Sequence, residues 1–410
     1  MADDKGDGLR GLARGFRKRA LSTAGLASRV GYNVLKSKLG QGSDRDATLK
    51  SVADLVDHLG SLKGLLMKVG QMASYLPGAL PPEAQQLLTG LQSKSPPLAF
   101  EQVDQVLQSE LSGNAATLCG RTLAVKVQYP GIEEVLRTDL RNAGFLLRAG
   151  ALASAADGGE LADELKDRLL EECDYRAEAD HQRRFRLLFS ADPHCLVPEV
   201  VAERSARRVL TSAFMPGDGF YDFCKSASQE EKNAAGALIF GTCFRSIFHH
   251  CIYNADPHPG NYLFQDGAVV FLDFGCIRRF PTAMIDGWKR LARAVLAGDR
   301  AGFRDATIAL RLAPRPDKFD WDYQWRMTNF IYQPFLHRPF TYTQEYVRKT
   351  YDVIVFKNPN KLHQGIPREW LFLNRLQWGL FSVLGLLNAT ADWPTLWRDA
   401  IDAPTTPAAA

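Results

Sequence analysis

Apolar residues recur in steps of three and four along residues 48–75, which is the spacing of one face of a helix. Pro77, Pro81 and Pro82 end this pattern, and residues 83–111 predict further short helices. The apolar face is formed by Val52, Leu55, Leu59, Leu62, Leu66 and Val69. The first part of the chain therefore predicts a helical extension.

The stretch "RTLAVKVQYPG" (121–131) predicts a short strand that ends in a Pro-Gly turn. Helices are expected over 132–150 and about 160–190, and residues 194–217 predict two strands and a linker. The remainder predicts helices interrupted by an Asp-rich turn, and the tail "APTTPAAA" predicts disorder. This order of elements suggests two lobes with chemistry between them.

The composition limits the class of protein. A chain of 410 residues is long enough for two cores, and 46% hydrophobic with 23% charged residues is typical of soluble globular proteins. A net charge of +4 is too small to indicate nucleic acid as a partner. Seven cysteines without a C-x-x-C pair indicate reduced thiols. No signal peptide or membrane-spanning run is recognisable, so the expected location is the cytoplasm.

Residues 9–38 contain eight Lys or Arg residues and no Asp or Glu, with Leu12, Phe16, Leu21 and Leu26 between them. Two interpretations stay open. A surface helix of this kind would lie on the anionic inner face of a membrane, each basic residue contributing about 1 kcal/mol. A solvated tail would have the same composition.

The stretch "HHCIYNADPHPGNYLFQDGAVVFLDFGC" (249–276) concentrates side chains that bind metals and transfer protons. Asn261 follows Asp256 by five residues, and Asp273 follows Asp256 by 17 residues after a predicted hairpin. Phosphoryl transfer needs oxygen ligands for Mg²⁺ and a group that orients the acceptor, which D-x-x-x-x-N followed by D-F-G supplies. The alternative is an Asp/Pro/Gly turn between strands. For His258, a capping role is favoured over a general base.

Lys126 lies inside the apolar segment "LAVKV", where a charge needs a partner. A phosphate-binding lysine explains this position, and a lysine that faces solvent is the alternative. In "LLEECDYRAEAD", Glu171, Asp174 and Glu178 share one helix face. Glu172 points roughly 120° away from Glu178, so this helix could offer carboxylates to two sites. A solvated charged face is the alternative for at least one of the four.

The helix segment "LKGLLMKVGQMASYLP" carries Lys68 away from its apolar face, with Gly64 and Gln71 on the same side as Lys68. A small residue, a cation and an amide on one face could dock closely against another lobe. Taken from these residues alone, a solvent-exposed face is the favoured interpretation.

Together these segments resemble the UbiB family of atypical kinase-like proteins, which is associated with ubiquinone biosynthesis. The resemblance covers about residues 45–390. It rests on "KVGQ" (68–71), "AVKVQYPGI" (124–132), "ECDYRAEA" (172–179), "ADPHPGN" (255–261) and "DFG" (273–275). K-x-G-Q together with E-x-D is specific, because ordinary protein kinases and small-molecule kinases lack that pair.

The resemblance implies a site that binds ATP with Mg²⁺. It implies that Lys126 pairs with Glu178, that Asp256 takes the catalytic-loop role, and that Asn261 and Asp273 hold Mg²⁺.

The resemblance also implies that Lys68 and Gln71 fold over the nucleotide site against Glu172 and Asp174. Protein-sized acceptors would then be partly blocked, so ATPase activity is implied rather than protein phosphorylation. The implied partners are a nucleotide, an isoprenoid lipid or anionic membrane surface, and a lipid-biosynthesis protein complex.

The implied fold class is α+β, a bilobal protein-kinase-like fold that is mostly helical, with an N-terminal helical extension and a truncated small-lobe sheet. Five segments are expected along the chain. They are a basic segment that is membrane-interacting or disordered (1–44), a helical extension with the K-x-G-Q motif (45–110), a small lobe (111–217), a helical large lobe with the catalytic loop and DFG (218–398), and a disordered tail (399–410).

The chain departs from the family between Leu111 and Ala124, where only twelve residues remain. Family members place two strands and an alanine-rich nucleotide loop there, and these need roughly 20 residues. Only "NAA" (114–116) resembles a remnant of that loop. Ala213 also replaces an acidic residue that is common in the linker. These departures weaken the case for turnover more than the case for binding.

Three functions remain open from the sequence. The first is a UbiB-type Mg²⁺–ATP-dependent enzyme with weak ATPase activity that supports quinone or lipid metabolism. The second is a catalytically impaired pseudokinase that acts as a lipid-binding or scaffold protein, which the short 112–123 segment favours. The third is a small-molecule phosphotransferase, against which "KVGQ" argues.

Overall fold

The computed structural model describes residues 99–111, 120–133, 173–365 and 367–407 of the chain. The predicted basic segment 1–44 and most of the predicted helical extension, residues 45–98, lie outside this part. The described part of the small lobe contains α1 (Phe100–Glu110), β1 (Leu123–Val127), α2 (Tyr175–Leu188), β2 (Cys195–Leu196) and β3 (Val209–Ala213).

The described small lobe is built around an antiparallel β1–β3 ribbon, in which Lys126 lies opposite Leu210. Helix α1 packs on this ribbon through a small cluster that includes Val106 and Val209, both buried. Gln182 of α2 is also buried, and its amide nitrogen donates to the Ser212 hydroxyl of β3. These contacts hold α1 and α2 to the ribbon, so Lys126 and the α2 carboxylates lie in one lobe.

A four-stranded sheet contains strands from both lobes. It adds β4 (Asp218–Gly219), β6 (Tyr262–Gln265) and β7 (Ala268–Phe271) in the order β2-β7-β6-β4. The β6–β7 hairpin turns at Asp266 and Gly267, both with positive φ, which suits a tight two-residue turn. Strand β2 pairs in parallel with β7. The predicted hairpin before Asp273 is therefore present.

The large lobe is mostly helical. Its elements are α3 (Phe220–Ser226), α4 (Gln229–His250), β5 (Ile252–Asn254), β8 (Ile277–Arg279), α5 (Thr282–Leu296), α6 (Arg300–Ala309), α7 (Trp321–Ile331), α8 (Gln333–Leu336), β9 (Phe340–Thr341), α9 (Gln344–Tyr351), α10 (Arg368–Leu387), β10 (Thr390–Ala391) and α11 (Trp393–Asp402).

Helix α4 forms the centre of the large lobe. It begins at a capping box, in which the Ser228 hydroxyl accepts the Glu231 N–H and the Glu231 carboxylate accepts the Ser228 N–H. Its Phe240 ring lies 5.2 Å from the Trp393 ring of α11, and its Phe244 ring lies 4.8 Å from the Trp397 ring of α11, both measured between ring centroids. The aromatic core thus fixes the helix that leads directly into the predicted catalytic loop.

Helix α10 lies directly under that loop. Its Leu380, Phe381 and Leu384 are almost completely buried. A Cβ added at Gly379 would lie 2.6 Å from Pro257 Cγ and 2.8 Å from the Pro257 carbonyl oxygen. Only glycine permits this approach. Among the described residues, no helix has the length and apolar character needed to cross a membrane.

The last described residues pack on the large lobe. Residues 399–402 belong to α11, and the buried Lys289 donates to the Ala403 carbonyl at 2.7 Å and to the Thr405 hydroxyl at 2.9 Å. The Thr406 N–H donates to the His249 carbonyl. Residues 399–407 therefore differ from the predicted disordered tail, because a buried ammonium binds their backbone.

Candidate active site

Asn254, at the end of β5, joins the predicted catalytic loop, residues 256–261, to the strand end that carries Asp273. Its side-chain oxygen accepts the Asp256 N–H at 3.1 Å. Its side-chain nitrogen donates to the Asp273 carbonyl. Strand β5 pairs with β8, which follows Asp273 in the chain. One amide side chain therefore sets the spacing between the two aspartates.

The catalytic loop is closed by Asn261, whose side-chain nitrogen donates to the Asp256 carbonyl at 2.8 Å. His258 Nδ1 accepts the Gly260 N–H at 3.1 Å, and His258 is the N-cap of the short 3₁₀ turn Pro259–Asn261. The capping role predicted for His258 is confirmed. The loop is held by its own side chains, which suits a segment that must keep polar groups in fixed positions.

The Asp273-Phe274-Gly275 segment follows β7. The Asp273 Oδ1 atom accepts the Gly275 N–H at 2.9 Å. The Phe274 ring is buried and lies 5.2 Å from the Phe185 ring of α2, measured between centroids. A Cβ added at Gly275 would lie 3.5 Å from Glu178 Oε2. Helix α2 is thus packed against this segment through both a ring and a carboxylate.

Lys126 connects the two lobes of the site. Its Nζ atom donates to both oxygens of Glu178, at 2.7 Å and 2.9 Å, and contacts Asp273 Oδ2 at 3.4 Å. The same ammonium lies 5.1 Å from the centroid of the Tyr175 ring, a cation–π distance. The sequence placed these four residues on three separate segments, and the fold brings them to one point.

Burial lowers the pKa of Lys126, but the carboxylates of Asp273 and Glu178 outweigh burial and raise that pKa above its ordinary value. Burial and then the neighbouring Asp273 raise the pKa of Glu178, against the opposing effect of Lys126. The raised pKa favours the charged form of Lys126, and the Lys126 ammonium offsets part of the rise in the pKa of Glu178.

Asn261 and Asp273 are the residues that fit a Mg²⁺ ion. Mg²⁺ prefers oxygen ligands and is commonly held by one or two carboxylates, with phosphate oxygens and water completing the set. Because the Asn261 nitrogen donates to Asp256, its oxygen is the atom left for a cation. Within the described ranges, no group of three His, Cys, Asp or Glu side chains could hold a metal. A cation here would need a ligand such as a nucleotide to complete its shell.

A cavity of about 40 Å³ adjoins the loop. Asp256, Asn261 and Asp273 line it, together with apolar side chains of α2, α4 and α10 that include Phe185, Ile239 and Leu380. This volume suits a few water molecules rather than a nucleotide base.

The remaining predicted site residues are placed only in part. Lys68, Gln71 and Glu172 lie outside the described residues. Asp174 is the N-cap of α2, and its carboxylate accepts the Arg176 N–H at 3.0 Å. The structure therefore gives Asp174 a local capping contact.

Three side chains of the site were not predicted from the sequence. Asn254 joins the two aspartates, Tyr175 lies against the Lys126 ammonium, and His181 Nδ1 lies 3.3 Å from the Phe274 carbonyl. Tyr175 and His181 lie on the same helix as Glu178, at −3 and +3. That helical spacing was a usable signal for both.

Residues 114–307 match the ABC1 atypical kinase-like domain. The chain is 29% identical over 322 residues to the mitochondrial atypical kinase COQ8B of Danio rerio, covering 71% of this chain and 50% of the relative. It is 27% identical over 323 residues to the mitochondrial atypical kinase COQ8 of Saccharomyces cerevisiae, covering 70% of this chain and 64% of the relative.

A plant protein is also similar. The chloroplastic protein ACTIVITY OF BC1 COMPLEX KINASE 3 of Arabidopsis thaliana is 30% identical over 277 residues, covering 66% of this chain and 38% of the relative. The chain thus spans between 38% and 64% of the length of these three relatives.

The fold has a solved counterpart in Rv3197 of Mycobacterium tuberculosis, determined in complex with erythromycin. The TM-score is 0.63 at 24% sequence identity, covering 88% of this chain and 98% of that one. This likeness and the ABC1 match confirm the predicted α+β, bilobal kinase-like fold. The matching domain and these atypical kinase relatives confirm the predicted resemblance of the chain to the UbiB family of atypical kinase-like proteins.

Proposed function

We propose that this protein binds a Mg²⁺–ATP complex, hydrolyses ATP weakly, and supports ubiquinone or isoprenoid-lipid metabolism at a membrane surface. The observation that carries the nucleotide part is the convergence of Lys126, Glu178 and Asp273 beside Asp256 and Asn261. An ammonium held by a carboxylate pairs with phosphate oxygens, and an Asp with an Asn supplies ligands for the cation. The names of the mitochondrial relatives support a kinase-like protein.

Each residue of the site has a proposed role in ATP binding or hydrolysis. Lys126, held by Glu178, binds phosphate oxygens. Asn261 and Asp273 would hold Mg²⁺, which would neutralise phosphate charge when it is bound. Asp256, fixed by Asn254 and Asn261, orients the attacking water and accepts its proton. Lys68 and Gln71, with Glu172 and Asp174, restrict what else reaches the site.

The membrane part of the proposal rests on the basic segment 9–38. Its basic and apolar side chains suit the anionic face of a membrane. A lipid-biosynthesis protein complex is the proposed partner there.

Two substitutions test the nucleotide site. Asp273→Asn removes a carboxylate ligand of the cation, so we expect Mg²⁺–ATP affinity to fall by about tenfold or more. Asp256→Asn should keep that affinity and abolish phosphate release, because it removes the proton acceptor. Isothermal titration calorimetry and a phosphate-release assay measure the two effects.

Asp266→Asn is the matched control for both substitutions. Asp266 is exposed at the β6–β7 turn with φ 47°, a conformation that asparagine also adopts. Affinity for Mg²⁺–ATP that is equal in wild type, Asp266→Asn and Asp273→Asn would contradict the proposal. Binding without any turnover in the wild type would instead favour the pseudokinase, to which the short segment between Leu111 and Ala124 points.

A further inference from the structure

Lys126 has two unequal contacts. It holds Glu178 through both carboxylate oxygens at 2.7 Å and 2.9 Å, whereas its contact with Asp273 Oδ2 is longer, at 3.4 Å. The Glu178 side chain is 6% exposed and the Lys126 side chain is 43% exposed. Glu178 is therefore the fixed anchor, and the contact to Asp273 is the one that can break.

Both oxygens of the Asp273 carboxylate are engaged by donors of this chain. Oδ1 accepts the Gly275 N–H at 2.9 Å, and Oδ2 faces the Lys126 ammonium. The Asp273 carbonyl is also used, since it accepts from Asn254. A cation that approaches Asp273 thus meets a carboxylate whose charge is already partly neutralised.

Resting on the proposed function, we propose that Lys126 excludes a free divalent cation from Asp273 until polyphosphate oxygens draw its ammonium away. The protein therefore takes up the cation and the nucleotide together, rather than the cation first.

The charge of the Lys126 ammonium affects a free divalent cation and a nucleotide in opposite ways. A free divalent cation brings two more positive charges next to an ammonium and no anion to separate them, so repulsion opposes its binding. A nucleotide brings phosphate oxygens that can accept from Lys126 while its hold on Glu178 is kept. The four-carbon stem of lysine allows this movement without a change in β1.

Removal of Lys126 should therefore have opposite effects on the binding of two ligands. Loss of the ammonium lowers affinity for the nucleotide and raises affinity for the bare cation. A purely structural lysine would lower both affinities or neither.

The test measures Mn²⁺ binding to the purified full chain without nucleotide, by water-proton relaxation or calorimetry. The informative variant is Lys126→Met with Glu178→Gln, because Lys126→Met alone leaves a buried carboxylate uncompensated and endangers the fold. We expect this double variant to bind Mn²⁺ about tenfold more tightly than wild type, and to lose affinity for a non-hydrolysable ATP analogue. Thermal melting verifies that it is folded.

Three controls sharpen the result. Glu178→Gln alone keeps the ammonium beside Asp273 and removes one carboxylate, so its Mn²⁺ affinity should not exceed the wild-type affinity. Lys126→Arg keeps a positive charge beside Asp273, so the Mn²⁺ affinity of this variant should also stay low. Adding Asp273→Asn to the double variant should abolish the gain, because Asp273 is the residue that Lys126 protects.

Wild type and the double variant binding Mn²⁺ equally well would overturn the inference. A gain that survives Asp273→Asn would also overturn it, because the cation would then lie elsewhere. A gain in Mn²⁺ affinity in the double variant, with no nucleotide binding to wild type, supports the exclusion of the cation and overturns the proposed function instead.

Discussion

Lys126 is both accessible and tightly held. Its side chain is 43% exposed, yet its ammonium contacts two carboxylates and lies against the Tyr175 ring. The sequence offered two interpretations of this lysine, a phosphate-binding residue or one that faces solvent. Its contacts reconcile them, because an accessible stem allows movement while the charged end has defined partners.

The key side chains of the loop could be predicted only where their spacing is local. Asp256 and Asn261 are five residues apart, and their hydrogen bond lies within one turn of chain. Asn254 could not be assigned in this way, because its partner is the carbonyl of Asp273, 19 residues away. A hydrogen bond to a distant backbone atom leaves no pattern in the sequence.

The ion pair between Glu110 and Arg208 holds α1 to the small lobe and gives a prediction about pH. The Arg208 side-chain Nε donates to the Glu110 carboxylate at 2.7 Å, and the Arg208 backbone N–H donates to it at 3.1 Å. Burial raises the pKa of Glu110, but these hydrogen bonds and the charge of Arg208 outweigh it, so the pKa is below 4.5. The pair therefore contributes stability above pH 4.5, which is lost as the pH falls through the folded-state pKa.

We expect Glu110→Gln to lower the free energy of unfolding by about 1 kcal/mol at neutral pH. The difference from wild type should shrink below pH 4.5, the ordinary value for this carboxyl. Urea unfolding at several pH values measures it. Glu101→Gln is the control, since Glu101 is exposed on the same helix. If the difference in the free energy of unfolding between wild type and Glu110→Gln grows as the pH falls, the ion pair with Arg208 does not stabilise the protein in this way.

Among the elements, the β6–β7 hairpin could be predicted from neighbouring residues in the sequence, whereas the order of strands in the sheet could not. The two apolar runs joined by Gln265-Asp266-Gly267 predicted the hairpin directly. The parallel pairing of β2 with β7 joins residues more than 70 positions apart, as in Cys195 with Val269. Strand β2 has only two residues, so it is too short to show an alternation of apolar and polar residues that would predict its partner strand.

Helix α10 contacts the proposed catalytic loop through Gly379, and this contact gives a second prediction. Gly379→Ala adds a methyl group 2.6 Å from Pro257 Cγ and 2.8 Å from its carbonyl oxygen. Although alanine favours a helix, we expect a net loss of about 1–3 kcal/mol in the free energy of unfolding, because overpacking outweighs propensity. Pro257 adjoins Asp256, so phosphate release should fall more than nucleotide affinity.

Gly241→Ala in α4 is the matched control for Gly379→Ala. A Cβ added at Gly241 meets nothing within 4 Å. This substitution should raise the free energy of unfolding by up to about 1 kcal/mol through helix propensity. If both alanine variants are stabilised alike and retain full turnover, α10 does not position the loop.

In the molecule as a whole, the large lobe is held by contacts that span the chain. The tail "APTTPAAA" has the composition of a disordered segment, and the sequence therefore predicted disorder. In the structure Lys289 binds Ala403, 114 residues away, and burial lowers the pKa of this lysine. The acceptors for the buried ammonium are backbone and hydroxyl groups of the tail, which composition cannot reveal.

The described parts of the two lobes differ in the size of their hydrophobic cores. The large lobe has an extensive aromatic core around α4, Trp393 and Trp397. Lys126, the proposed phosphate-binding residue, instead lies on β1, which pairs only with β3 among the described strands. A two-stranded ribbon depends on the elements that cover it, which here include only α1 and α2 among the described helices of the small lobe.

The β1–β3 ribbon therefore has a consequence for amide hydrogen exchange. Residues 123–127 should exchange through local openings that cost much less free energy than unfolding of α4. Because Lys126 lies on this ribbon, a bound nucleotide must slow exchange in β1 far more than in α4. Exchange measured by mass spectrometry, with and without Mg²⁺–ATP, would show this contrast. Equal protection of both segments would mean that the ribbon opens only when the whole protein unfolds.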